Sequence, residues 1–135
     1  MLKIIRAGMQ TTVQDTGRFG YRLAGVSRSG ALDTPSLIIA NALVGNSRDA
    51  AGLEVTGADC DAVLDGHPVW TGWRLPYHNG QRLELKLPRH GMRSYLAVAG
   101  GLKVPEVMGS HSTDLKGGFG GFKGRQLADG DAIAI

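Results

Sequence analysis

Glycine occupies 21 of the 135 positions, about twice the share of roughly 7% found in ordinary chains. Only 5 prolines accompany the glycines and there is no low-complexity tract, so they do not signal disorder. They mark turns and bulges, and the segments between them are short. Such punctuation favours a β-rich fold built from brief strands. At 135 residues the chain is one domain, 1–135. A chain of this size buries roughly two-thirds of its unfolded surface, so a core forms without disulfides or metal.

The strand candidates follow from apolar alternation and turn chemistry. Leu2–Arg6, Thr11–Gln14 and Gly52–Thr56 read as strands. Ala62–Leu64 and His67–Val69 flank Asp65-Gly66, a pair that tolerates the positive φ of a tight hairpin turn. Asn79-Gly80 leads into Arg82–Leu87, whose strict alternation predicts one buried and one wet face. Pro88–Gly91 turns the chain into Ser94–Ala99, an apolar run expected at the centre of a sheet, and Asp129–Ile135 closes the sequence as turn plus strand. One helix is expected, about 34–44. Asp33 or Thr34 can cap it, Pro35 sits where a missing N–H costs nothing, and Gly45 can take the left-handed C-terminal position. It is apolar nearly all round, which predicts burial on most sides, with Asn41 bonded to loop backbone. Seven or eight strands and one helix make the fold class mainly β, a small barrel or sandwich.

Bulk properties exclude several functions. Net charge is +3 and the charges are interspersed, with eight aromatics (two Trp, three Tyr, three Phe), so nothing resembles a basic nucleic-acid stripe. Arg18, Arg22 and Arg28 form the one basic cluster and suit a small anion better than a polymer. Cys60 is the single cysteine and has no activating neighbour in sequence. His67, His78, His90 and His111 lack ligand spacing, so no metal site is expected. No apolar stretch reaches the roughly 18 residues of a spanning helix, and Met1–Gly8 is too short and charged for a signal peptide, which makes the cytoplasm the default location. Trp70 and Trp73 are expected to pack at a hairpin base.

Two constellations could carry chemistry. Gln14-Asp15-Thr16-Gly17-Arg18-Phe19-Gly20 places a carboxylate, an arginine and glycines together. It is either an anion loop, in which backbone N–H groups and Arg18 hold the ligand, or a loop pinned by its own polar groups. Ser29-Gly30 beside Arg28 could bind a ligand, but the surroundings lack a nucleophile elbow. Ser110-His111-Ser112-Thr113-Asp114 precedes Gly117–Arg125, whose glycines match neither common nucleotide motif. A loop lining a cleft is the local expectation there, with Lys123 and Arg125 as candidate anion contacts.

Gln14–Gly20, Ser29–Asp33, Ala40–Asn46, Ser94–Gly101 and Gly109–Asp114, in this order, resemble the C-subunit family of the bacterial 5-oxoprolinases, whose members also carry the names allophanate hydrolase subunit 2 and biotin-dependent carboxyltransferase-like protein. The detail is similar to enterobacterial members. Family members are about twice as long, so the chain corresponds to an N-terminal half. They also continue through another strand or two where Thr56 here meets Gly57. The resemblance implies a cyclophilin-like β-barrel and a subunit that acts with two others to open the lactam 5-oxoproline to L-glutamate with ATP hydrolysis. Under it Asp15, Arg18 and Asp114 are the catalytic candidates, and Arg28, Ser29, Gly30, Lys123 and Arg125 the binding candidates. ATP belongs to the complex and need not touch this chain. A second implied reading is the carboxyltransferase domain of a urea amidolyase, which would meet biotin on a carrier, since no Met-Lys-Met attachment site is present. A third is a non-catalytic partner-binding regulator. An edge left bare by an absent half could also support a homodimer.

Overall fold

A computed structural model describes residues 1–57, 62–86 and 92–135. Cys60, His90 and the turn expected at 88–91 lie outside these residues. The elements run β1 (Leu2–Lys3), β2 (Gln10–Gln14), a 3₁₀ turn (Arg22–Ala24), α1 (Thr34–Leu43), β3 (Gly52–Thr56), β4 (Ala62–Leu64), β5 (His67–Val69), β6 (Leu83–Leu85), β7 (Arg93–Leu96) and β8 (Ala132–Ile133). The fold is mainly β with one helix. Among the described residues the strands form three antiparallel sheets, β1-β8, β2-β3-β7 and β5-β4-β6, and do not close into a single barrel. No helix among them is long and apolar enough to cross a membrane.

The local expectations that rest on turn and cap chemistry hold. Asp65 and Gly66 adopt φ of 49° and 82° between β4 and β5. The Asp33 carboxylate accepts the Ser36 N–H at 3.2 Å, Pro35 lies in the first turn, and Gly45 follows the helix at φ 75°. Asn41 is fully buried and donates to the Ala50 carbonyl at 2.8 Å.

Expectations that depend on what packs over an element fail. The helix is not buried on most sides: only Leu37 and Asn41 are, and Ile39 is 60% exposed. The run expected to be central, Ser94–Ala99, contributes to β7, which among the described residues pairs only with β3, while β3 occupies the centre and pairs with both neighbours. The alternation of β6 buries no face, since Leu83 and Glu84 are exposed and Leu85 is half-buried. Trp70 and Trp73 are exposed rather than packed at the hairpin base. In each case the described residues supply no second layer over that surface.

The core lies instead beneath β2, β3, β8 and the 98–104 segment. Val13, Leu53, Val98, Leu127 and Ile133 pack there with Ile4, Leu102 and Val104. Each such side chain contributes roughly 1.5–3 kcal/mol by leaving water. A polar pin sits on the other face of β3. Glu54, cross-strand from Tyr95, accepts from the Leu32 N–H, the Tyr95 hydroxyl and Arg93 Nη1, each at 2.7 Å. Burial pushes the Tyr95 hydroxyl well above its ordinary pKa, so the phenol remains a neutral donor to Glu54. Its oxygen also accepts the Asp33 N–H at 2.8 Å, which seats the start of α1 on the sheet.

Candidate functional site

β2 carries the chain into the core and ends at Gln14, so Asp15 and Arg18 enter a buried seam. The opposite wall is the 107–114 segment. Its Thr113 N–H bonds the Val13 carbonyl at 2.9 Å, extending the pairing of β2. Asp15, only 4% exposed, accepts from four donors across that seam and its own turn. Ser110 Oγ (2.8 Å), Ser112 Oγ (2.5 Å) and the Gly17 N–H (2.7 Å) reach Oδ1, and the His111 N–H reaches Oδ2 at 2.6 Å. Arg18, 2% exposed, donates from Nε to the Val107 carbonyl at 3.1 Å and from Nη2 to the Ser112 carbonyl at 3.0 Å. Its guanidinium lies 4.8 Å from the centre of the Phe119 ring. Asp15 and Arg18 therefore do not pin the loop to each other. Each pins it to the 107–119 region, and Arg18 Nη1 is buried without a partner among the described residues.

Asp114 stands at the far end of the seam. It accepts the Gly117 N–H at 2.8 Å and the Ser27 hydroxyl at 2.7 Å, and Ser27 contacts the Ser29 hydroxyl at 3.1 Å. The Gly117 N–H, the Ser27 hydroxyl and the charge of Arg18 hold the Asp114 carboxyl below the usual carboxylate range. Gly30 donates its N–H to Gln14 Oε1 at 3.1 Å and has φ 89°; a Cβ there would strike Gly17. Arg28 donates to the Thr16 carbonyl at 3.2 Å, lies 4.5 Å from the Phe19 ring centre, and is exposed.

The structure places Lys123 and Arg125 elsewhere. Arg125 forms a bidentate pair with Asp131 at 2.7 and 2.8 Å, and Lys123 lies over Phe122. The glycine loop packs against the 112–113 segment. Gly120, Gly121 and Gly124 have positive φ, and a Cβ on each would collide with Ser112, Thr113 and Gly118. These glycines let the loop approach the 112–113 backbone.

A cleft opens beside Asp15 and His111. A volume of about 510 Å³ is lined by Asp15, Thr16, Gly17, Phe19 and His111 together with Asp49, Gly100, Gly101, Lys103 and Glu106 among others. His111 Nδ1 is buried without a partner among the described residues. Lys103 and the Gly100-Gly101 turn were not picked as site residues from sequence. Gly100-Gly101 stands out only as part of the 94–101 segment, and nothing local ties it or Lys103 to Asp15, because the cleft is assembled from segments far apart in the chain.

Two carboxylates, Asp131 beside Arg125 and Asp114 in the seam, make acid sensitivity predictable. Arg125 lowers the Asp131 pKa from 3.8 to about 2, and Asp114 is lowered as well. A depressed folded-state pKa stabilises above the unfolded value and loses that contribution as pH falls through the folded value. The urea midpoint is thus expected to hold from neutral pH down to about 5, then to drop between 3.8 and about 2. Asp131→Asn should flatten part of that drop. An unchanged acid profile in this variant would contradict the assignment.

This β-rich frame and its seam define the class. The carboxyltransferase domain family, subdomain A and B, matches residues 24–135, and the chain belongs to that family. Among its relatives, the C subunit of 5-oxoprolinase from Escherichia coli (strain K12) is 60% identical, covering 100% of this chain and 49% of the relative. The C subunit of 5-oxoprolinase from Haemophilus influenzae is 36% identical, covering 98% and 48%. The crystal structure of the K. lactis urea amidolyase superposes with a TM-score of 0.94 at 32% identity, covering 97% of this chain and 9% of that one. The chain thus spans about half the length of the 5-oxoprolinase relatives it matches.

Proposed function

We propose that this chain is one subunit of an ATP-dependent 5-oxoprolinase, which acts with other subunits in the cytoplasm to convert 5-oxoproline to L-glutamate. The observation that carries this reading is the 60% identity, across the entire chain, to a protein named as the C subunit of 5-oxoprolinase. A lactam is a poor electrophile, and ATP supplies the phosphorylation that turns its carbonyl oxygen into a leaving group. In this reading ATP belongs to the complex and need not touch this chain. Within this chain Asp15 lines the cleft, and Arg18 and Asp114 hold the seam behind it. Arg28, exposed and stacked on the cleft-lining Phe19, is the cation proposed to meet developing negative charge, with Ser29 and Gly30 holding its loop.

The same reading treats the Thr56–Gly57 junction as the place where relatives carry extra residues. The match to the E. coli relative runs over 152 positions although this chain has 135, which supports additional residues within the matched region of the relative.

A second reading, a carboxyltransferase domain served by biotin on a carrier, is favoured by 34% identity to urea amidolyase of Lachancea kluyveri. One reconstitution separates the two. ATP-dependent glutamate release from 5-oxoproline is measured with the neighbouring subunits, with and without this chain. At least a tenfold fall on omitting the chain is expected. Undiminished release would reject the first reading, and a requirement for a biotinylated carrier would establish the second.

A further inference from the structure

Asp15 meets His111 at one end of the cleft. The two oxygens of Asp15 are unequally engaged. Among the described residues Oδ1 takes three donors, while Oδ2 takes only the His111 N–H at 2.6 Å. A carboxylate oxygen accommodates about two donors, so Oδ2 keeps acceptor capacity. Both residues line the cleft, and the neighbouring His111 Nδ1 is buried without a partner among the described residues. Buried polar groups are normally satisfied, so His111 Nδ1 costs free energy until a partner reaches it, whereas Oδ2 is bonded once and has room for a second donor. The Ser110 and Ser112 hydroxyls and the Gly17 N–H are already spent on Oδ1, so they do not supply that donor.

The charges around the cleft narrow the ligand. Asp15, Asp49 and Glu106 stand against Lys103 and His111. Lys103 Nζ donates to the Gly100 carbonyl at 2.7 Å, which leaves it further donors. Such a lining does not suit a phosphate or another multiply charged anion. It suits a small molecule that offers an N–H beside a carbonyl, with at most one negative charge for Lys103 to meet. The volume of about 510 Å³ is within the range of small-molecule sites.

We propose that this cleft recognises the N–H of a small amide, with Asp15 Oδ2 as the acceptor and Lys103, in the same lining, meeting a carboxylate where the ligand has one. The inference rests on the function proposed above and deepens it, since a lactam and urea share this chemistry. It gives Asp15 a positioning role: the same carboxylate that ties the 110–112 segment to β2 would orient the substrate amide.

The test uses the 135-residue chain, labelled with ¹⁵N, and three probes: 5-oxoproline, urea, and the lactone analogue of 5-oxoproline in which ring oxygen replaces the N–H. Shifts are expected at the amides of Thr16, Gly17 and His111 with 5-oxoproline, and binding of the lactone should be at least tenfold weaker. Because this comparison needs no substitution, it stands even if Asp15→Asn fails to fold. Lys103→Met should weaken 5-oxoproline and leave urea unchanged. Binding of urea but not 5-oxoproline would support the amide site and point to the urea source. Equal binding of lactam and lactone, shifts confined to other regions, or no binding of either amide at millimolar concentration would overturn the proposal. The outcome is separable from that of the reconstitution. Glutamate release that depends on the chain without any amide binding removes only the cleft assignment. Selective amide binding by a chain that turnover does not need removes only the subunit assignment.

Discussion

Asp15→Ala is expected to abolish cooperative folding or to lower stability by about 4–6 kcal/mol, against the roughly 5–15 kcal/mol that holds a domain together. The side chain is 4% exposed and accepts from two hydroxyls and two backbone N–H groups. The hydroxyls of Ser110 and Ser112 can rotate to other acceptors. The N–H groups of Gly17 and His111 are fixed by the backbone, and each buried donor left unpaired costs about 1–3 kcal/mol. Asp15→Asn keeps one acceptor oxygen and should lose less. Asp33→Ala provides an exposed reference, a helix cap whose loss should lower the midpoint far less than Asp15→Ala. Urea unfolding followed by circular dichroism measures all three. The result also decides between the two roles that the 14–20 loop allows. A residue serving chemistry alone would leave the stability of Asp15→Ala within about 1 kcal/mol of the native chain.

How far the sequence reaches is visible in the same residues. Asp15, Arg18 and Asp114 stand out by type and spacing among glycines. Their partners do not, because the bonds of Asp15 to Ser110 and Ser112 span 95 and 97 residues. The signal available was the Ser110-x-Ser112 spacing, which puts two hydroxyls on one side of an extended segment. Elements defined by their own chemistry were legible: the Asp33 cap, Pro35, Gly45 and the Asp65-Gly66 turn each impose a backbone geometry within a few residues. Elements defined by what covers them were not. The apolar pattern of α1 and the two tryptophans predicts burial, yet the described residues leave Ile39, Trp70 and Trp73 open to solvent. Alternation in Arg82–Leu87 correctly marked a strand in β6, but whether its face is covered depends on a layer that the described residues do not place there.

The glycine loop supplies the second large effect. Gly121→Ala is expected to cost at least about 3 kcal/mol, lowering the melting temperature by about 10 °C or more. Its φ is 52°, a region that costs a side-chain-bearing residue about 1–2 kcal/mol. The added Cβ would also overlap Thr113 Oγ1 and come within 2.9 Å of Thr113 Cβ and 3.1 Å of Thr113 Cα. Thr113 cannot yield freely. It is 3% exposed, and both its N–H and its hydroxyl hold the Val13 carbonyl at 2.9 Å. Displacing it would loosen the 110–114 segment from β2 and with it the donors of Asp15. Gly118→Ala separates the two causes, because Gly118 has φ 70° and nothing within 4 Å of its added Cβ. That variant should lose only the backbone contribution, about 1–2 kcal/mol. Thermal unfolding of the pair reads the difference directly. Equal losses would mean that the loop does not need its close approach to the 112–113 backbone, and that its glycines serve turn geometry alone.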